Sequence, residues 1–326
     1  MGSLGGAGML LVRGVRLGMK VWGPLLAIVS ACMWGLSGTA AQYLFQHSGI
    51  QAGWLVTIRM GVSGVMLVGW GMITRGVKPM MAVWTSQDRR VLVVFGIAGL
   101  LGVQYTYLAA IQAGNAASAT LLQYVGPTMV TLWVAVHVRT WPRTRQMLAV
   151  GLTLGGTWLV VSSGQWRTLA VPPLAMVLGL LSALALAFYT LYPMKLLSTW
   201  GTLPVVGWGM LIGSLSAMVR WPVWVVPDFR GGIVTWALMA FIVVFGTLLS
   251  FSLYLMSLSH IAPSTASVLT SAEPLVATWA SVLWLHVHLG MLQDVGAGLI
   301  ILGVVLLALR PEGTCQEMGI DQKISV

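Results

Sequence analysis

Glu273 and Pro274 stand side by side inside an apolar run that extends from Pro263 to Leu285, and Glu273 is the one acid among seven that lies deep in such a run. An ionised carboxyl in hydrocarbon costs a few kcal/mol, so it must carry a proton, meet a cation or tie helices together. About nine residues, or roughly 13 Å of helix rise, separate Glu273 from the start of its run, which is close to a bilayer midplane. Pro274 has no N–H and frees a backbone carbonyl one turn back. Glu273 is therefore the coupling candidate: a carboxyl that loads a proton from one side and releases it to the other. Arg59 is the lone cation inside a second run. Its position two turns from the outer end favours snorkelling to the interface; the other reading is a pair with Glu273, which would make the carboxylate a gate or a structural tie.

Polar and aromatic side chains recur at helical spacing in other apolar runs: Ser30, Trp34 and Ser37; Gln104 and Tyr107; Thr120, Gln123 and Pro127; Ser182 and Tyr189; Thr247, Ser250 and Tyr254; Ser267, Thr270 and Pro274. Residues three, four or seven apart share one helix face. Any single hydroxyl is accounted for by helix-to-helix hydrogen bonding. Trp34, Gln104, Tyr107, Gln123, Tyr189 and Tyr254 are poorly suited to face lipid and point to a wet, aromatic-lined space.

Other chemistries find little support. Cys32 lies in an apolar run and Cys315 in a polar tail, too unlike for a disulfide or a metal pair. His286-Val-His288 lacks the carboxylates or thiols that complete a metal site, so no metal and no cofactor are expected. Phosphate-binding, dinucleotide and nucleophile-elbow motifs are absent from the sequence. A membrane-embedded enzyme or lipid-handling protein is the alternative reading, but it needs convergent acids or histidines at one depth.

The elements that must position these residues follow from composition. The chain has 326 residues, 58% hydrophobic and 7% charged, where a soluble domain carries about a quarter charged residues. The net charge of +10 is spread through short loops rather than along one face, which speaks for a lipid bilayer as partner and against nucleic acid. Ten apolar runs long enough to span about 30 Å of hydrocarbon are marked off: Trp22 to Phe45, Ala52 to Thr74, Leu92 to Gln112, Ala116 to His137, Thr144 to Ser163, Pro172 to Leu197, Leu203 to Val219, Gly232 to Leu258, Pro263 to Leu285 and Leu289 to Leu309.

Basic residues stay in cytoplasmic loops. With the N-terminus inside, Arg13, Arg16, Lys20, Arg75, Lys78, Arg89, Arg90, Arg139, Arg143, Arg145, Lys195, Arg310 and Lys323 fall inside, and only Arg167, Arg220 and Arg230 outside. Both termini are expected to be cytoplasmic in a multi-pass protein of the cytoplasmic membrane. Residues 1–21 lack the order of a cleavable signal peptide and form a cytoplasmic lead-in; residues 310–326 form a polar cytoplasmic tail.

The chain also matches itself 147 residues on. Tyr107-Leu108 pairs with Tyr254-Leu255, Pro127 with Pro274, Gln146 with Gln293, and Gly156 with Gly303. Five helices per half is an odd number, so a second repeat enters the membrane inverted. The expected fold is all-α and polytopic, with ten transmembrane helices as two inverted five-helix repeats, residues 22–163 and 172–309. Gly151-x-x-x-Gly155 and Gly209-x-x-x-Gly213 read as close-packing motifs.

At these positions the sequence resembles the drug/metabolite transporter superfamily and, within it, the EamA family of permeases. The stretches that carry the resemblance are Trp34-Gly35, Arg59, Tyr107, Ala117, Ala119 and Pro127, then Gly246-Thr247, Tyr254, Pro263, Ala266, Glu273-Pro274, Gln293, Gly298 and Gly303. The resemblance implies a central cavity lined by helices one, three, four, six, eight and nine. It implies a secondary transporter that moves small metabolites, amino acids or drug-like compounds, often as an exporter, by alternating access. Trp34, Gln104, Tyr107, Gln123, Tyr189, Tyr254 and Glu273 are then the expected substrate-binding residues, with proton coupling through Glu273. One departure is that Arg139-Thr140 and His286-Val287 stand where many members carry Gly-Glu.

Overall fold

A backbone in hydrocarbon has no water to bond, so each apolar run must satisfy its own N–H and C=O groups. In the computed structural model they do so as helices, and no strand occurs among the described residues. The structure describes residues 5–138, 144–164, 170–225, 232–258, 260–261, 266 and 269–308. Arg139, Thr140, Arg143, Arg167, Arg230, Pro263, Ser267, Arg310, Cys315 and Lys323 lie outside them, as do the side chains of Arg13, Arg16 and Lys20.

The helices are α1 (Gly5–His47), α2 (Ala52–Arg75), α3 (Val77–Thr85), α4 (Arg89–Ala113), α5 (Ala116–Gln123), α6 (Gly126–Val138), α7 (Thr144–Ser162), α8 (Pro173–Leu191), α9 (Met194–Trp200), α10 (Thr202–Met218), α11 (residues 233–258), α12 (Ala272–Leu285) and α13 (Met291–Ala308). Among the described residues six helical stretches are long and apolar enough to cross a membrane: Trp22–His47, Ala52–Arg75, Arg89–Ala113, Ala116–His137, Pro173–Leu191 and Ile233–Tyr254. Shorter apolar helices are Thr202–Met218, Ala272–Leu285 and Met291–Leu306. Burial runs opposite to that of a soluble protein. Ser30, Thr57, Ser63, Thr153 and Ser182 are fully buried, while Trp70, Ile73, Trp133, Trp236 and Ile233 are exposed, as a bilayer solvent requires.

Four features differ from the pattern read in the sequence. The run Ala116 to His137 is interrupted at Tyr124-Val125, because Pro127 cannot donate to the carbonyl of Gln123. The run Pro172 to Leu197 ends at Leu191; a turn at Tyr192-Pro193 leads into α9. The run Pro263 to Leu285 has a turn at Ser271 before α12 begins. The short amphipathic α3 follows Gly76, whose φ of 86° suits a residue without a side chain, and went unread because nine residues fall short of a span.

Helix pairs pack through small residues. On α7 a Cβ at Gly156 would lie 2.5 Å from the carbonyl of Gly296 on α13, and one at Gly303 would lie 2.8 Å from the carbonyl of Ala149. Gly209 and Gly213 of α10 pack against Leu100 and Met60 as their spacing suggests. Gly151 and Gly155 do not: nothing lies within 4 Å of a Cβ at either, because one register step turns the contact face to Ala149 and Gly156. Further close pairs are α2 with α10, α4 with α8, and α1 with both α11 and α12. Wide i→i+5 turns interrupt α4 at Phe95–Leu101 and α11 at Val244–Leu249, a feature that often marks functional sites in helices.

Candidate functional site

Two glycines of α1 bring the walls of a central cavity together. A Cβ at Gly35 would lie 2.7 Å from the carbonyl of Glu273, so α12 lies directly on α1, and one at Gly38 would lie 2.6 Å from Oη of Tyr107 on α4. Neighbouring Trp34 meets α11, its ring 5.3 Å from Phe251 in an edge-on arrangement and 5.6 Å from Tyr254. The space enclosed has a volume of about 990 Å³, large enough for a drug-sized molecule.

All seven residues singled out in the sequence line this one cavity: Trp34, Gln104, Tyr107, Gln123, Tyr189, Tyr254 and Glu273. Tyr107 shares a 2.9 Å hydrogen bond with the hydroxyl of Thr120, which ties α4 to α5. Tyr189 on α8 stacks on Phe95 at 5.6 Å. Gln123 ends α5, 9% exposed, beside the break at Tyr124. Gln104 faces the cavity with neither its amide nitrogen nor its oxygen bonded to any protein group.

Glu273 is held from the other half of the chain. Tyr124 donates to its Oε2 at 3.1 Å and lies 2.7 Å from the carbonyl of Thr270. Pro274 has no N–H for that carbonyl four residues back, and the Tyr124 phenol takes its place. Sequence reasoning missed Tyr124; the available signal was its position three residues before Pro127, where a proline break redirects side chains.

Arg59 corrects an expectation. It does not snorkel outward: it is 8% exposed and lines the cavity. Nor does it bond Glu273. Its Nε donates to Thr247 Oγ1 at 2.6 Å and its Nη2 to the carbonyl of Gly246 at 3.2 Å. The cause is the wide turn of α11, whose loosened ladder leaves carbonyls to be met by other groups; the Thr247 hydroxyl itself donates to Ile242 at 3.1 Å. Among the described residues no cluster of three or more His, Cys, Asp or Glu side chains is placed to hold a metal. His286 instead occupies a left-handed position, φ 51°, at the end of α12.

The EamA-like transporter family model matches residues 21–162 and 173–309. The uncharacterized inner membrane transporter YicL of Salmonella typhimurium is 36% identical over 289 residues, which cover 88% of this chain and 95% of that protein. The uncharacterized transporter YwfM of Bacillus subtilis is 23% identical over 303 residues, covering 88% of this chain and 94% of its own length. A solved structure described as "Crystal structure of protein" shares the fold, with a TM-score of 0.58 at 16% identity over 89% of this chain and 96% of that one. With its apolar helices and its aromatic-lined cavity, this multi-pass helical membrane protein belongs to the EamA-like transporter family.

Proposed function

We propose that this transporter is a secondary exporter of small metabolites, amino acids or drug-like compounds, working by alternating access of ten helices arranged as two inverted five-helix repeats. The observation that carries the reading is the cavity itself, whose wall draws on both halves of the chain and holds the single deep acid. Reciprocal contacts support the inverted repeat. Gly156 meets Gly296 while Gly303 meets Ala149, and the two contacts exchange under the same shift of 147 residues that relates the sequence to itself. Such exchange is what a twofold axis requires.

The direction of opening supports alternating access with cytoplasmic termini. Trp70, Leu197, Thr202 and Leu203 line the cavity at the end of the bundle that carries Arg75 and Lys195, the end the basic residues assign to the cytoplasm. At the opposite end, Gln42 accepts from the N–H of Ala116 at 2.8 Å, Gln112 from that of Ala52 at 3.0 Å, and Ser48 bonds Thr235 at 3.0 Å. This is a cytoplasm-open arrangement, and rocking of the halves would exchange the closed end. Glu273, bonded across the halves to Tyr124, is placed to gain or lose a proton as they move, which links flux to the proton gradient.

The test uses proteoliposomes together with metabolite profiles of cells with and without the gene. The secreted profile identifies a solute, and Glu273→Gln should then lose pH-gradient-driven flux of that solute while keeping passive exchange. Undiminished gradient-driven flux in the Gln variant, or no solute changed by loss of the gene, would count against the reading.

A further inference from the structure

The closed end of the cavity holds a charge and two polar groups that the protein leaves without matching partners. Arg59 is buried there, and both of its bonded partners, the Thr247 hydroxyl and the Gly246 carbonyl, are neutral. No carboxylate lies within ion-pair distance of it among the described residues; the carboxyl of Glu273 is held across the cavity by Tyr124. Gln104 has neither donor nor acceptor satisfied, and the hydroxyl of Ser37 is buried without a partner. All three residues line the cavity.

These groups lie along one continuous wall. The hydroxyl of Ser37 abuts Gly246, whose carbonyl Arg59 binds. Gly38, next in α1, faces the hydroxyl of Tyr107, and Gln104 is one turn from Tyr107 on α4. A buried charge that lacks an ionic partner and an amide with both ends open each cost stability, which a ligand of matching chemistry recovers on binding. A guanidinium, an unpartnered amide and an unpartnered hydroxyl on the wall of one cavity supply several donors, a set suited to a carboxylate or a comparable planar oxyanion. Trp34, one turn from Ser37 on α1, packs with Phe251 and Tyr254 in the same cavity and offers a surface for an apolar or aromatic body.

We propose that the substrates are amphipathic organic anions, bound with the anionic head against Arg59, Gln104 and Ser37 and the apolar body against Trp34, Phe251 and Tyr254. The proposal rests on the cavity being the substrate's path. When Glu273 is neutral, the charge of Arg59 alone among the described residues of the cavity sets the sign of this wall, since Tyr107, Tyr124, Tyr189 and Tyr254 are uncharged as phenols.

The test is binding to the purified full chain in detergent, followed by tryptophan fluorescence and thermal unfolding. Three probes share a phenyl body and differ in the head: 3-phenylpropionate, its amide, and 3-phenylpropylamine. The carboxylate should bind about tenfold or more tightly than either of the others. Gln104→Leu should weaken carboxylate binding about tenfold without lowering the unliganded melting temperature, since the native amide has no protein partner to lose. Gln104→Glu sets a carboxylate on the same wall as Arg59 and should abolish the preference for the carboxylate probe, as should Arg59→Gln. If Arg59→Gln fails to fold because the α11 turn loses its tie, the two Gln104 variants carry the test. A wild-type preference for the amine or the amide would overturn the anion assignment, as would saturation of none of the three probes. Neither result touches the Glu273→Gln flux experiment, which alone decides whether the cavity is a transport path.

Discussion

Tyr124 bonds Glu273 across 149 residues of chain, joining the break between α5 and α6 to the start of α12. The phenol is shared between Oε2 of Glu273 and the carbonyl that Pro274 leaves unmet. One small group thus joins a proline break in each half of the molecule to the candidate proton carrier. Tyr124→Phe keeps the ring and removes the bond. Gradient-driven flux in proteoliposomes should fall several-fold while passive exchange and thermal stability change little. If both fluxes fall together with stability, the bond ties helices and does not position the carboxyl.

The α7 and α13 interface gives a stability prediction with an internal control. A methyl at Gly156 would meet a backbone carbonyl that cannot move aside, so Gly156→Ala should destabilise by about 1–3 kcal/mol. Gly151→Ala enters open space on the same helix and should be neutral or stabilising by up to about 1 kcal/mol. Thermal unfolding in detergent compares the two; equal effects would contradict the register of this packing.

Trp34 lines the cavity with its ring set against Phe251 and Tyr254. Trp34→Ala should lower transport about tenfold or change selectivity, with membrane abundance near that of the unsubstituted protein. A loss of abundance alone would make Trp34 a packing element, because Gly35 beside it holds α1 against α12.

Topology is tested by single cysteines at Gly49 and Lys78 in a background lacking Cys32 and Cys315. These positions lie at opposite ends of α2, so an impermeant maleimide should label Gly49→Cys from outside intact cells and Lys78→Cys only after permeabilisation. External labelling of both would defeat the proposed orientation.

The apolar helices were legible because bilayer thickness acts on runs of about 20 residues, and local composition suffices to see them. The breaks were less legible. Pro127 and Pro274 were visible as prolines, but whether the chain continues as one helix or restarts, as at Tyr124-Val125 and Ser271, depends on which neighbour meets the carbonyl that each proline leaves. The Gly151-x-x-x-Gly155 reading failed for a related reason: spacing marks a face, but the helix rotation that chooses between Gly155 and Gly156 is set by the partner.

The sequence by itself determined the helical class and the set of amphipathic side chains unsuited to lipid, since each follows from residue type and position along one helix. The partners were decided only by the tertiary structure. Arg59 had two readings, outward to the interface or across to Glu273, and took neither; the wide turn of α11 offered it Thr247 and Gly246 instead. Tyr124 reached Glu273 because two helix breaks far apart in the chain meet in space. Hydrogen bonds depend on distance and direction to within a few tenths of an ångström, and those are fixed by crossing angle and rotation between helices, which single-helix periodicity does not encode.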